Sequence, residues 1–166
     1  MMTGTSVNRT ESVPESAFLN SGEPEIIDTR FGKIMLRRDK PISFPRGLLG
    51  MPDKFHFFLT EFPSEKLNRF KLLQCLDDYK LSFITLPLDL QNGILTAEDL
   101  AVASREVGIL PENLAILLIV SVHRNPEKVT LSVNARAPVL IDSAARVAVQ
   151  HVFQSDKYKV QHIIIV

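Results

Sequence analysis

The residues of this chain that could do chemistry are four histidines, one cysteine and two adjacent carboxylate pairs. Their spacing argues against most of the chemistry they could do. His56, His123, His151 and His162 are far apart, so no two stand three or four residues apart as ligands on one helix face would, and no Cys-x-x-Cys is present. These histidines read as ordinary surface or half-buried side chains, and neither a metal nor a cofactor is expected. Cys75 lies among Leu72, Leu73 and Leu76. A reactive thiolate needs an electropositive, partly exposed site. Lys71 is four residues away, about 13 Å along a strand. Cys75 therefore reads as a packed, inert thiol. Asp77-Asp78 falls at a turn and Glu98-Asp99 at a helix start, where carboxylates serve turn geometry and the helix dipole. The chain has no Gly-x-Ser-x-Gly elbow and no glycine-rich phosphate loop. No catalytic residue is assigned and no small-molecule substrate is expected. An enzyme with a dispersed site stays open, and it would need a pocket placing His151 or His162 beside a carboxylate.

Charge and hydropathy exclude further classes. The chain holds 19 basic and 19 acidic residues, without the basic surplus that phosphate neutralisation requires. A nucleic-acid-binding barrel would have to use the local group Arg30, Lys33, Arg37, Arg38 and Lys40. A solvated edge guarded by charge accounts for that group better, so no direct nucleic-acid partner is expected. The single cysteine suits a reducing compartment. No signal peptide is read at Met1, and the longest apolar run, Leu114–Val122, is too short to span a bilayer. A soluble, cytoplasmic protein without a membrane partner is expected.

The elements that must position any site read mainly as strands. Residues 1–24 are rich in Ser, Thr, Asn, Glu and Gly and are expected to be a disordered tail, with one domain over 25–166. Ile26–Leu36 reads as one strand bent at Gly32 or as two short ones. Pro41–Pro45 is extended, Phe55–Thr60 is a strand, and Phe70–Leu76 with Leu81–Leu86 form a hairpin about Asp77-Asp78. Phe55, Phe57 and Phe58 are expected in the core. Leu114–Val122 is apolar at both parities and should be central. In Val129–Asn134, Val129, Leu131 and Val133 alternate with Thr130, Ser132 and Asn134, which predicts one buried face. Val139–Asp142, Val147–Phe153 and Tyr158–Val166 complete the strands. Thr96 and Asp99 form a capping box for one helix ended by Gly108, with Ala97, Leu100, Ala101 and Val107 as its apolar stripe. One short helix among many strands predicts a small, mainly β domain, an antiparallel barrel or sandwich. Ten phenylalanines exceed what so small a sheet buries easily, which predicts an exposed apolar patch for protein binding.

Three ordered stretches carry a resemblance. They are Thr29-Arg30-Phe31-Gly32 leading to Ile42–Gly50; Phe70–Asp78 followed by Leu81-Ser82-Phe83 and Pro87; and Thr130–Ile141 with its Asn134-Ala135-Arg136-Ala137-Pro138 core. Val149-Gln150 and Tyr158 follow in order. Together they resemble the flagellar assembly factor FliW family over about Ile26 to His162. Leu49 and Met51 stand where that family tends to have Pro and Phe, Cys75 replaces a serine, Tyr79 a proline and Ala135 a leucine. The resemblance implies a β-barrel-like protein without enzymatic activity. It implies two protein partners, the translational regulator CsrA and flagellin, with flagellin displacing the regulator. The turn Phe44–Gly50 and the hairpin Gln74–Asp78 are the first candidates for partner contact. The individual residues are Phe44, Gly47, Leu48, Gln74, Asp77, Asp78 and Asn134. Acidic side chains there would speed encounter with a basic regulator.

Overall fold

Apolar residues at both parities of one strand need cover on both faces, and the computed structural model supplies it. It describes residues 23–165; the expected tail over 1–24 therefore lies, but for Glu23 and Pro24, outside the described residues. The strands are β1 (Glu25–Thr29), β2 (Gly32–Leu36), β3 (Ile42–Ser43), β4 (His56–Glu61), β5 (Lys71–Cys75), β6 (Ser82–Leu88), β7 (Leu114–Arg124), β8 (Val129–Val133), β9 (Val139–Asp142), β10 (Val147–Gln150) and β11 (His162–Ile164). The helix α1 spans Ala97–Val107. β6, β5, β4, β3, β10 and β9 follow one another from β7, and β9 pairs back onto β7 through Leu114↔Asp142 to Leu117↔Val139. That contact closes a barrel. Its strands are antiparallel except for a parallel contact between β3 and β10 at Ser43↔Val147.

Inside the barrel pack Phe44, Phe57, Leu73, Cys75, Leu117, Val139, Ile141 and Ala148. The Phe44 and Phe57 rings meet edge-on at 4.8 Å between centroids. Outside it, Ile116, Leu118, Val120, Leu86 and Leu140 pack with Leu100 and Ala103 of α1 and with Tyr158. Leu117 thus faces the barrel interior while its neighbours Ile116 and Leu118 face the helix layer. Burial pushes the Cys75 thiol above its ordinary value of 9.0, as expected of a packed thiol.

Several expectations are refined. Residues 25–36 form two strands, with Thr29 opposite Gly32 across a tight turn. Phe57 is wholly buried, but Phe58, the next residue of β4, turns to the other face and is only half-buried, and Phe55, which precedes the strand, is 41% exposed. β8 does not keep one buried face. Val129 at its start is exposed, and at its end both Ser132 and Val133 are buried because both faces are covered there. The last two strands are shorter than expected. Residues 151–153 leave the ladder, although the His151 and Phe153 N–H groups still donate to Pro138 and Arg136 carbonyls. The buried stripe of α1 is Leu100, Ala103 and Ser104 with Val107 alongside, while Ala97, in the first turn, and Ala101, about 100° round the helix from Leu100, flank that stripe and are exposed. In the basic group, Lys33 pairs with Asp28, Arg37 with Asp39 and Arg38 with Glu25. Arg30 donates to the Ser82 carbonyl at 2.7 Å. Among the described residues, no helix is long and apolar enough to cross a membrane.

The helix start is tied to the chain's last turn. Thr96 Oγ1 accepts the Asp99 N–H at 3.2 Å. The Tyr158 hydroxyl accepts the Thr96 N–H at 3.1 Å and donates to Asp99 Oδ2 at 2.5 Å. Lys157 Nζ donates to the same oxygen at 2.8 Å. Hydrogen bonds from Lys157, then Tyr158, hold the Asp99 carboxyl at about 2, below its ordinary 3.8. A carboxyl whose pKa is lower folded than unfolded stabilises the fold above its unfolded value, and that stabilisation is lost as pH falls through the folded value. Denaturant titrations of the parent should therefore show a loss of stability between pH 4 and 2 that is smaller in Asp99→Asn. Parallel acid limbs in the two proteins would contradict this.

Candidate functional site

At one end of the barrel, β7 changes partner. Its first half pairs with β9 and its second half with β8, from Val120↔Val133 to Arg124↔Val129. The chain between β8 and β9, residues 134–138, must turn away at this point. Asn134 sets the turn: its N–H donates to the Ile119 carbonyl at 3.0 Å and its Oδ1 accepts the Ala137 N–H at 3.0 Å. Across the gap stands the loop leaving β3. Phe44 is fully buried beneath it, and the Gly47 N–H donates to the Phe44 carbonyl at 2.9 Å. Leu48 and Met51 exchange backbone hydrogen bonds, which projects Leu49 outward. Gly47 has φ 66°, and a Cβ there would lie 2.3 Å from the Met51 carbonyl oxygen, so the loop requires glycine at this position.

Gln150 joins the two turns. Its Oε1 accepts the Leu49 N–H at 2.9 Å and its Nε2 donates to the Ala137 carbonyl at 3.1 Å. Between them lies a cleft of about 250 Å³ lined by Leu48, Leu49, Met51, Phe83, Ile119, Ser121, Asn134, Gln150, Val160 and Gln161. Its rim is apolar and open to solvent, with Leu49 54% and Val160 55% exposed. A fixed polar frame with an exposed apolar rim is suited to receiving a protein side chain.

The hairpin between β5 and β6 is built differently. Gln74 is fully buried. It donates to the Cys75 and Tyr79 carbonyls and accepts the Ser82 hydroxyl at 2.8 Å. Asp77 Oδ2 accepts the Phe55 and His56 N–H groups, each at 2.8 Å, and Oδ1 lies 3.2 Å from His56 Nδ1. The Phe55 carbonyl in turn accepts the Phe44 N–H at 2.7 Å. Asp77 thus holds the strand that supports the Phe44 turn. Asp78 accepts the Lys80 N–H at 3.0 Å. Two exposed aromatics border this hairpin, Phe55 and Tyr79, the latter beneath Arg38 at 5.0 Å.

The structure therefore gathers Leu48 and Asn134 into one cleft, with Gly47 shaping its loop. Phe44 and Gln74 are buried supports, and Asp77 and Asp78 sit at the second hairpin. Sequence reasoning did not single out Gln150, Val160, Phe83 or Ile119 as site residues. Gln150 occupies a strand position where nothing local distinguishes a clamp from a solvated side chain. Among the described residues no group of His, Cys, Asp and Glu is arranged to hold a metal. His151 lies 3.8 Å from Glu106. The larger cleft of about 450 Å³ beside Glu106 and Asp142 is lined by neither His151 nor His162.

The sequence model of the FliW protein family matches residues 25–164, the whole barrel with its extension. The chain belongs to the FliW family. Relatives named flagellar assembly factor FliW include that of Geotalea uraniireducens strain Rf4, 31% identical over 144 residues, covering 83% of this chain and 82% of the relative. That of Syntrophus aciditrophicus strain SB is 30% identical over 143 residues, covering 85% and 87%. That of Nitratidesulfovibrio vulgaris strain DP4 is 34% identical over 129 residues, covering 75% and 70%. A crystal structure of the flagellar assembly factor FliW superposes with a TM-score of 0.60 at 20% identity, over 84% of this chain and 96% of that one. The FliW fold is therefore the fold of this chain.

Two substitutions test the frame of this FliW-family site. Gly47→Ala forces a side chain against the Met51 carbonyl at positive φ and should cost at least about 1–3 kcal/mol in denaturant unfolding. Asp77→Ala leaves the Phe55 and His56 N–H groups without their acceptor and should cost about 1–3 kcal/mol. A variant as stable as the parent in either case would show that the loop relaxes freely.

Proposed function

We propose that this chain is a cytoplasmic flagellar assembly factor, not an enzyme, that works by partner switching. It binds the translational regulator CsrA and thereby relieves repression of flagellin translation. It also binds flagellin, and free flagellin displaces the regulator. The observation that carries this reading is family membership over residues 25–164. A cleft bridged by the Gln150 hydrogen bonds and rimmed by the exposed side chains of Leu49 and Val160 supports it. In this reading Leu48, Leu49, Asn134 and Val160 form a contact surface, while Phe44, Gly47 and Gln74 contribute by holding the two turns in shape. Asp77 and Asp78 put carboxylates beside exposed Phe55 and Tyr79, a surface whose charge would steer a basic regulator.

Partner switching has a thermodynamic signature. If each partner weakens the other, the two effects must be equal in size. Calorimetric titration of the purified chain with CsrA, with and without saturating flagellin, and the reverse titration, should give the same factor. Binding to neither partner at micromolar concentration would end the proposal, and so would undiminished binding of both at once. Leu49→Asp with Val160→Asp places charge on an exposed rim and should weaken at least one partner by about tenfold, roughly 1.4 kcal/mol, without unfolding the barrel. Asp78→Lys should lower the association rate with CsrA and flatten its salt dependence.

A further inference from the structure

Among the described residues, the strand β11 has one partner and one open edge. It pairs with β8 through His162↔Val133, Ile163↔Ser132 and Ile164↔Leu131, and among the described residues no second strand lies beside it. Parity decides which of its backbone groups face outward. The Asn134 N–H donates to Ile119, so Asn134 and Ser132 bond toward β7 while Val133 and Leu131 bond toward β11. His162 and Ile164, opposite those two, bond back toward β8. The Ile163 N–H and C=O therefore face away from the sheet. The carbonyl of Ile165, of the same parity, is met by the Arg69 guanidinium at 2.7 Å.

The side chains follow the same alternation. Ile164 is buried in the helix-side layer, whereas Ile163 is 59% and Ile165 89% exposed. Gln161, of the same parity, and Val160, which precedes the strand, line the cleft at the barrel mouth. Exposed edges are usually blunted by proline, lysine or a bulge. The run Val160–Ile165 contains neither proline nor a Lys, Arg, Asp or Glu residue. Positive charge stands instead at its two ends, with exposed Lys159 before it and exposed Arg69 at Ile165. Asp156, the acidic residue nearest in sequence, faces Arg136 at 3.7 Å.

We propose that β11 is a docking edge for an extended segment of a partner protein, apolar at alternate positions and carrying carboxylates at its ends. The added strand takes the Ile163 amide and carbonyl, sets apolar side chains against Ile163 and the cleft rim, and places its carboxylates by Lys159 and Arg69. The inference does not depend on which protein supplies the strand.

Selection of the full chain against a displayed library of random peptides about ten residues long, enough for one strand, tests this. Enriched peptides should alternate apolar residues between acidic ends, and binding should slow hydrogen exchange at the Ile163 amide. Ile163→Pro removes a donor that β8 does not use and should weaken the selected peptides at least about tenfold. The double variant Arg69→Glu, Lys159→Glu leaves the ladder intact and should weaken them similarly, with a reduced salt dependence. Absence of such a consensus, or undiminished binding to both variants, overturns the proposal. Peptide binding that appears only after removal of residues 1–22 assigns the edge to the chain's own N-terminal segment and also overturns it. A concentration-dependent dimer dissociated by Ile163→Pro assigns the edge to a second copy, with the same consequence.

Discussion

The change of partner along β7 is the constraint on which the rest of the molecule depends. One edge of this strand is taken by β6. The other is shared, with β9 along Leu114–Leu117 and β8 along Val120–Arg124. The first pairing closes the barrel and encloses one core. The second carries a three-stranded extension past the barrel wall, and α1 and the Tyr158 turn cover its outer face. Because β8 and β9 cannot occupy the same edge, the chain between them must turn aside. That forced departure opens the cleft.

An opening in a barrel wall exposes backbone polar groups, and these need partners. Asn134 and Gln150 supply them. One closes its own turn, and the other ties that turn to the loop carrying Leu49. The same economy appears at the second hairpin, where Gln74 and Asp77 satisfy backbone groups from inside and from the flank. Among the described residues no buried side-chain nitrogen or oxygen lacks a hydrogen-bond partner. Polar residues in these turns therefore hold the framework, and the apolar side chains they support are the ones that reach solvent.

Much of this was legible in the chain itself. Apolar residues at both parities in Leu114–Val122 required a strand covered on two faces, and Thr96 with Gly108 bounded the helix, because these signals are local. The order of three short motifs was enough to indicate the FliW family. Local pattern failed where burial depends on distant strands. Phe55 and Phe57 look alike in sequence, yet one is exposed and the other is a core residue. Val129 and Ser132 reverse the burial their polarity predicts, since what covers a β8 residue is β11 and the barrel rather than its own neighbours.

Sequence by itself determined the class of fold and the places where the chain must turn, since these rest on short-range periodicity, glycine and proline sterics, and capping, and it indicated the family through the order of three motifs. Tertiary structure alone decided which candidate residues share a surface. Leu48 and Asn134 are far apart in the chain and line one cleft, while Phe44 and Gln74 lie beneath the surface. The reason is geometric. A side chain's exposure at the barrel mouth is set by which strand occupies the far edge of β7, and no local run of residues encodes that pairing.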